Sequence, residues 1–238
     1  MRSLRMQADI RNNIQAVRER IEAAAARCGR KASDITLIAV SKLHSAEEVD
    51  AAAAAGITDV GENKVQEIIS KQPQVRSALT WHLIGHLQTN KVKSVIDKVS
   101  VIHSVDSFHL AQEIDRRAQQ AGLVKDILLQ VNAAHEETKF GISAEETLPL
   151  AESIAEELKN VRIRGLMQIA PYAEDPEDVR KYFRQVRELF EKLRDGGFAE
   201  ADMLSMGMSH DFETAIEEGA THIRVGTAIF GERDYSKR

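Results

Sequence analysis

The amino-acid sequence predicts an α/β protein folded as a single (β/α)8 barrel (TIM barrel) preceded by one extra N-terminal helix. Eight short apolar runs alternate with helical segments between residues 35 and 231, one amphipathic helix precedes them, and the first run leads into SKLHSAEE rather than into a glycine-rich loop. Eight strand–helix units are the number that closes into a parallel barrel. An open, doubly wound sheet remains the alternative, although it usually carries a glycine-rich phosphate loop after its first strand.

The leading segment, residues 1–30, is the expected extra helix. Its apolar residues recur at steps of three and four, as on one face of an amphipathic helix. They are Ile10, Ile14, Val17, Ile21, Ala24 and Cys28. Gly29 follows, where a left-handed residue commonly ends a helix. We expect one domain over residues 1–238, with the barrel in residues 35–231 and no second β-rich domain.

Each apolar run in the barrel segment has the length of a buried parallel strand. The predicted strands are residues 35–40, 57–60, 81–85, 99–105, 127–132, 161–167, 202–206 and 221–226. The helices between them begin with recognisable signals. Two capping boxes are predicted, Ser45 with Glu48 and Ser143 with Glu146. Asp175-Pro176 predicts an N-cap with proline at the first helical position.

Composition and charge exclude several classes of function. The net charge of −5 argues against nucleic acid or a membrane surface as a partner. A single cysteine, Cys28, excludes an internal disulfide and multi-cysteine metal sites, and no metal is expected. The N-terminus has no apolar stretch of signal-peptide length and no later segment could span a membrane, so a cytoplasmic protein is expected.

The functional site of such a barrel lies where its strands run into the following helices. The first predicted strand runs directly into Ser41 and Lys42. An amine in a partly desolvated barrel mouth, near another positive charge, has its pKa lowered and can add to an aldehyde. Lys42 is therefore the candidate nucleophile.

The loops after strands seven and eight carry small hydroxyl residues and glycines, which favour a phosphate site. In barrels these two loops often hold a ligand's phosphate through backbone amides and a helix N-terminus. The candidates are Ser205, Ser209, Gly226 and Thr227, and Ser209 is expected to be the N-cap of the next helix. Such residues also form ordinary turns, so the prediction depends on finding both loops in these positions.

Arg224 is predicted to point into the barrel, one pleat deeper than Gly226 on the same strand face. A buried guanidinium needs an acceptor because it keeps its proton. An ion pair with an inward carboxylate such as Glu62 would satisfy it in the absence of a ligand. With Lys42 and the phosphate loops, however, Arg224 completes the set that holds pyridoxal 5′-phosphate (PLP): an amine, a phosphate site and a partner for the ring nitrogen.

The chain resembles the pyridoxal phosphate homeostasis proteins over nearly its full length. The motifs that carry the resemblance are AVSK (39–42), GENKVQE (61–67), WHLIGHLQTNK (81–91), LLQVN (128–132), KFGI (139–142), GLM (165–167), the stretch 204–231 and RDYSK (233–237). This family is similar in fold to the barrel domain of alanine racemase and related fold-type III PLP enzymes.

The resemblance implies a role for each candidate residue. Lys42 would hold PLP as an internal aldimine, a Schiff base, Arg224 would face the pyridine nitrogen, and Asn63 would lie beside the ring. Ser205, Ser209, Gly226 and Thr227 would hold the phosphate. One departure is Lys64, since many members have an aromatic residue after the GEN motif, and it leaves a second amine near the site.

A PLP carrier is favoured over a PLP enzyme. Fold-type III enzymes have a second, β-rich domain that supplies an acid–base residue, and this sequence ends just after the eighth strand. Arg224 is a permanent donor, so it keeps the ring nitrogen unprotonated and weakens the ring as an electron sink. We expect a monomeric protein that stores, buffers or delivers PLP in vitamin B6 homeostasis, with apo PLP-dependent enzymes as candidate recipients.

Two alternatives stay open at the level of sequence. One is a small fold-type III PLP enzyme acting on amino acids, in the manner of a racemase. The other is a barrel in which Lys42 performs aldolase-type chemistry without a cofactor and the phosphate loops bind a sugar phosphate. Two further features are set aside: His82 and His86 are expected to pack or hydrogen-bond rather than bind metal, and Lys139 is a possible polar neighbour of the site.

Overall fold

The structure, a computed structural model, describes residues 2–134, 136 and 139–232. Its eight strands form a closed parallel barrel in sequence order. They are β1 (Thr36–Val40), β2 (Asp59–Glu62), β3 (Thr80–Leu83), β4 (Val101–Val105), β5 (Lys125–Val131), β6 (Val161–Gln168), β7 (Met203–Ser205) and β8 (His222–Val225). Every strand in the described part of the chain belongs to this barrel, and the predicted (β/α)8 fold is confirmed.

The helices surround the barrel. They are α1 (Arg2–Arg27), α2 (Ala46–Ala54), α3 (Val65–Lys71), α4 (Val92–Val95), α5 (Phe108–Ala121), α6 (Ala144–Glu157), α7 (Arg180–Asp195), α8 (Phe212–Glu217) and α9 (Thr227–Phe230). Helix α9 has only four residues, and α1 packs against α2, α8 and α9. The extra helix therefore covers the side of the barrel that the short last helix leaves open.

The predicted helix signals are present. Ser45 with Glu48 and Ser143 with Glu146 form complete capping boxes. Gly29, just beyond α1, has the left-handed φ of 72°. Asp175 caps a 3-10 turn that begins at Pro176, and α7 follows at Arg180. No helix in the described residues has both the length and the apolar character needed to cross a bilayer.

Because the barrel closes, the register between neighbouring strands determines how far each interior side chain lies from the ends of the barrel. Strand β1 pairs with β8, and Ile38 lies beside Arg224. The apolar core lies mainly between strands and helices, whereas a small separate cluster consists of Val101, Leu128, Met167 and Met203. Buried polar residues from β3, β4, β7 and β8 contact one another across the barrel, so the interior is in large part polar.

Candidate functional site

Lys42 lies at the end of the barrel where the strands finish, in the turn that follows β1. Its side chain is half-buried. The next residue, Leu43, has a φ of 66°, a left-handed conformation that non-glycine residues rarely adopt. Its amide donates to Glu67 Oε2 at 2.8 Å. This hydrogen bond anchors the turn to α3 and so fixes the position of the Lys42 backbone.

A buried ion pair supports the same turn on its other side. Lys71 Nζ donates to the Ser41 carbonyl at 2.7 Å and lies 2.5 Å from Glu62 Oε1. The Ser41 hydroxyl donates to the same Glu62 oxygen at 2.6 Å. Burial raises the pKa of Glu62, and the Lys71 ammonium opposes this. Glu62 is therefore committed to Lys71 between β2 and α3, and the alternative of an ion pair with Arg224 is wrong.

Arg224 is almost completely buried, with 4% of its surface exposed. Its two terminal nitrogens donate to Ser205 Oγ and to the Gln168 carbonyl, each at 2.7 Å. Burial lowers the pKa of Arg224 to about 10, and the charge of Asp211 opposes this. Arg224 is level with Ile38, four residues before Lys42. The inward, buried position predicted for Arg224 is confirmed, and it lies deeper than the lysine.

Ser205 has a different position from the one expected of a phosphate ligand. Its side chain is fully buried, and its hydroxyl lies 2.7 Å from Arg224 and 3.0 Å from His103 Nδ1. Because both contacts lie inside the barrel, the Ser205 hydroxyl faces the arginine and not the loops. The structure therefore gives Ser205 a place in the support of Arg224.

Ser209 lies against the backbone that follows β8. Its Oγ accepts from the amides of Gly226 and Ala228 at 3.3 Å and 3.5 Å. Both contacts are longer than a typical N–H···O bond, so these amides remain weakly satisfied. Thr227, between them, is exposed. The two loops expected to meet do meet here, and we name Ser209, Gly226, Thr227 and Ala228 the hydroxyl–amide cluster.

The expectation that Ser209 caps the next helix is wrong. Helix α8 begins three residues later, and its N-cap is Asp211, whose carboxylate accepts from the Met208 amide at 2.6 Å. The loop folds tightly because Gly207 has a φ of 93° and its missing Cβ would lie 2.6 Å from the Ala215 Cβ. Because α8 starts three residues after Ser209, the Ser209 hydroxyl does not cap that helix and instead accepts from the backbone that follows β8.

Two amide side chains near the strand ends have buried polar atoms without a partner. They are Asn63 Oδ1 and both amide atoms of Gln168, and Gln168 is only 1% exposed. Gly85 allows the chain to pack against Asn63, since a Cβ there would lie 2.2 Å from the Asn63 carbonyl oxygen. Buried polar atoms normally find partners, so these amides indicate that a polar ligand belongs at this end of the barrel.

The remaining candidates lie at the edge of the site. Lys139 Nζ donates to the Ala170 carbonyl at 3.2 Å. Lys64 is exposed at the start of α3. His86 stacks on Phe140 with ring centroids 3.8 Å apart, whereas His82 is buried in the interior. The hydrogen-bonding role expected of His82 is confirmed. The RDYSK motif lies outside the described residues.

Comparison with known proteins identifies the family. The family model described as the N-terminal domain of alanine racemase matches residues 10–234. A pyridoxal phosphate homeostasis protein of Aquifex aeolicus is 47% identical over 223 residues, covering 93% of this chain and 97% of that protein. The chain belongs to the pyridoxal phosphate homeostasis proteins. The resemblance drawn from its motifs is confirmed.

Solved structures agree with the fold of this family. PipY of Synechococcus elongatus, solved with PLP bound, aligns with a TM-score of 0.82 at 36% identity, over 93% of this chain and 100% of PipY. An alanine racemase of Clostridium difficile aligns with a TM-score of 0.75 at 17% identity, over 94% of this chain and 57% of the racemase. The second likeness shows the fold alone.

Sequence reasoning missed the groups that support the candidate site from below. Glu67 and Lys71 hold the Lys42 turn, and Glu62, which the sequence suggested as a partner for Arg224, instead pairs with Lys71. His103 contacts Ser205 and was also missed. The inward position of His103 could have been predicted, because residues 101, 103 and 105 share one strand face, but its contact with Ser205 depends on how the barrel closes.

Proposed function

We propose that this protein binds PLP as a Schiff base on Lys42 and acts in PLP homeostasis as a carrier or buffer. The observation that carries the proposal is the arrangement of three features at one end of one barrel. Lys42 stands at the rim, the hydroxyl–amide cluster lies at the ends of β7 and β8, and Arg224 is buried below the lysine. The PLP bound to PipY, a relative at 36% identity, supports the same ligand here.

The residues fit the cofactor by their chemistry. The Lys42 amine would condense with the aldehyde and release water. The weakly bonded amides of Gly226 and Ala228, with the hydroxyls of Ser209 and Thr227, would donate to the phosphate. The unpartnered amides of Asn63 and Gln168 offer polar contacts to the ring substituents.

Arg224 favours a carrier over a catalyst. When bound, PLP supplies an electron sink that is strongest when the ring nitrogen is protonated. With a pKa of about 10, Arg224 keeps its proton at neutral pH and can only donate. A nitrogen that accepts from Arg224 stays unprotonated, and the sink is weakened. Relatives of this chain are named pyridoxal phosphate homeostasis proteins, which supports a carrier rather than an enzyme.

The carrier is distinguished from an amino-acid enzyme by turnover. Purified, PLP-loaded protein is incubated with each L-amino acid, and D-isomer, amine and keto acid are measured. In parallel, the loaded protein is mixed with an apo PLP-dependent enzyme and the recovery of that enzyme's activity is followed. We expect transfer without sustained turnover. Repeated turnover of any one amino acid would instead identify a PLP enzyme and overturn the carrier proposal.

We further propose that the protein works as a monomer. All proposed contacts to PLP come from one barrel, so no second copy is needed to complete the site. Light scattering of the loaded protein should give a mass near the 26.5 kDa of one chain. A stable dimer whose dissociation released PLP would contradict this.

A further inference from the structure

A continuous chain of buried hydrogen bonds crosses the barrel interior from Arg224 to Asp59. Arg224 contacts Ser205 Oγ at 2.7 Å, and Ser205 contacts His103 Nδ1 at 3.0 Å. His103 Nε2 lies 2.9 Å from His82 Nδ1, and His82 Nε2 lies 2.9 Å from Asp59 Oδ1. The chain joins β8, β7, β4, β3 and β2, so only a closed barrel can assemble it.

If both histidines are neutral, the chemistry of Arg224 and Asp59 determines which atom donates and which accepts in every hydrogen bond of the chain. Asp59 as a carboxylate can only accept, so His82 must carry its proton on Nε2. The Nδ1 of His82 then accepts from His103, whose proton must also be on Nε2. The Nδ1 of His103 in turn accepts the Ser205 hydroxyl proton, which leaves Ser205 Oγ as the acceptor for Arg224. All donors therefore point from the guanidinium toward the carboxylate.

The charges around the chain agree with this assignment. His103 is fully buried, and burial, together with the permanent charge of Arg224, lowers its pKa well below the usual value. Burial is the largest single influence on Asp59 and raises its pKa, but the hydrogen bonds from His82 and Thr58 and the other electrostatic interactions of this carboxylate together outweigh burial, so the pKa is lowered on balance. A neutral imidazole and an ionised carboxylate are the forms that the bond directions require.

The hydrogen-bond chain ends at Asp59, which lies at the end of the barrel opposite to Lys42. Asp59, the first residue of β2, lines a groove of about 360 Å³ together with Thr36 at the start of β1 and Thr58 just before β2. The chain is thus anchored by a carboxylate near solvent. Its other end is the arginine that would meet the cofactor ring.

We propose that His82 and His103 are positioning residues for the PLP site: a one-way hydrogen-bond relay from Arg224 to Asp59 that holds the guanidinium in place beneath the cofactor ring. This inference rests on the proposed function for its link to PLP. The relay itself belongs to the protein without ligand. A chain of donors that all point one way strengthens each bond in it.

Nitrogen-15 NMR of the histidine rings tests the relay directly, with no cofactor present. Two-bond correlations distinguish the Nδ1–H from the Nε2–H form, and His82→Gln and His103→Gln variants assign the signals. We expect the Nε2–H form for both His82 and His103, as the bond directions require. A proton on Nδ1 of either ring, or a doubly protonated ring, would overturn the proposed direction.

The link to the cofactor is tested by the absorption band and affinity of the loaded protein. Ser205→Ala removes the acceptor for Arg224, and His103→Leu breaks the relay with an apolar side chain. Each should raise the dissociation constants of PLP and of phosphate-free pyridoxal alike, by about tenfold, and should shift the band maximum or its pH midpoint. His103→Gln, which can both accept and donate, should restore most of the affinity.

His222→Gln is the matched control, because His222 is a half-buried histidine at the start of β8 that is bonded to Thr221 and to no relay side chain in the described residues. It should leave the band and its pH midpoint unchanged. If His103→Leu fails to fold, the test relies on Ser205→Ala, provided that this variant has the melting temperature of the wild-type protein. Bands and affinities equal to wild type in both Ser205→Ala and His103→Leu would overturn the inference, whereas a wild-type protein without any band would instead contradict the proposed function.

Discussion

At the residue scale, the lysine at the rim depends on its neighbour's unusual backbone. Leu43 has a φ of 66°, and a left-handed non-glycine residue costs about 1–2 kcal/mol. Its amide bond to Glu67 and the bond from Lys71 to the Ser41 carbonyl hold the turn in this conformation. Strain of this kind persists only where surrounding contacts determine the backbone, and the proposed Schiff base on Lys42 requires such a fixed backbone.

The hydroxyl–amide cluster should recognise the phosphate and not the ring. Ser209→Ala and Thr227→Val each remove one hydroxyl donor, so each should raise the dissociation constant of PLP by about tenfold. Binding of pyridoxal, which lacks the phosphate, should change little. Equilibrium dialysis or absorbance titration with both aldehydes measures the ratio.

The matched control in this experiment is Ser205→Ala. Because Ser205 contacts Arg224 and His103 inside the barrel, its loss should weaken both aldehydes by the same factor. If Ser205→Ala lowered PLP binding selectively, Ser205 would be a phosphate ligand as its sequence position suggested.

At the element scale, α3 supports β1 and β2 through a buried ion pair. Lys71→Met would leave Glu62, which is fully buried, without its counter-ion. Breaking such a pair on one side costs about 3 kcal/mol or more. We expect a loss of that size in the free energy of unfolding, measured by urea denaturation, together with weaker PLP retention because the Ser41 carbonyl loses its donor.

An exposed pair provides the control for that measurement. Lys98 lies 3.4 Å from Asp97, and the two side chains are 34% and 59% exposed. Lys98→Met should change the free energy of unfolding by less than about 1 kcal/mol. Adding Glu62→Gln to Lys71→Met should recover part of the loss. Equal effects of Lys71→Met and Lys98→Met would show that burial of the pair contributes nothing.

Local features of the elements were predictable because their causes are local. The capping boxes at Ser45 and Ser143 need only residues three apart. The role of Ser209 was not predictable in full, since a tight turn at Gly207 moves the start of α8 to Phe212. Strand ends were also displaced: the second strand was expected to end at residue 60, but β2 extends to Glu62.

At the scale of the whole molecule, the polar interior exists only because the barrel closes. His103 on β4 meets Ser205 on β7 from the opposite side of the barrel, 102 positions away in sequence. The strand faces could be predicted from alternation, whereas the partners could not, because they depend on register and tilt around the ring. The candidate site residues at the rim could be proposed from their loop positions, whereas the residues that support them became evident only from the structure.

Two histidines, the fully buried His103 and the half-buried His222, should make the fold sensitive to mild acid. Burial lowers the pKa of His222 to about 4, with Asp59 and Asp202 opposing, and burial lowers the pKa of His103 well below its usual value. The unfolded chain takes up protons at these rings near pH 6.5, whereas the folded chain does not. Folding stability is therefore retained above pH 6.5 and lost as pH falls toward 4.

Each of these histidines should contribute a loss of about 1.4 kcal/mol per pH unit in that window. Urea denaturation at pH 7, 6, 5 and 4.5 measures the slope, and His222→Gln should remove roughly half of it. Burial raises the pKa of Glu48, but hydrogen bonds from His44 and Ser45 outweigh it and lower the pKa to about 2. Glu48 therefore adds to the loss of folding stability only below pH 4.5. A free energy of unfolding that stays constant from pH 7 to 4.5 would contradict the neutral state of these two rings in the folded protein.

The most direct test of the account is the position of the covalent bond to PLP. Loaded protein is reduced with borohydride, digested and mapped by mass spectrometry, with Lys42→Ala treated in parallel. We predict one pyridoxyl group, on Lys42, and its loss together with the visible absorption band in Lys42→Ala. A group on Lys64 or Lys139 with Lys42 unmodified, or no modified lysine at all, would contradict the central claim.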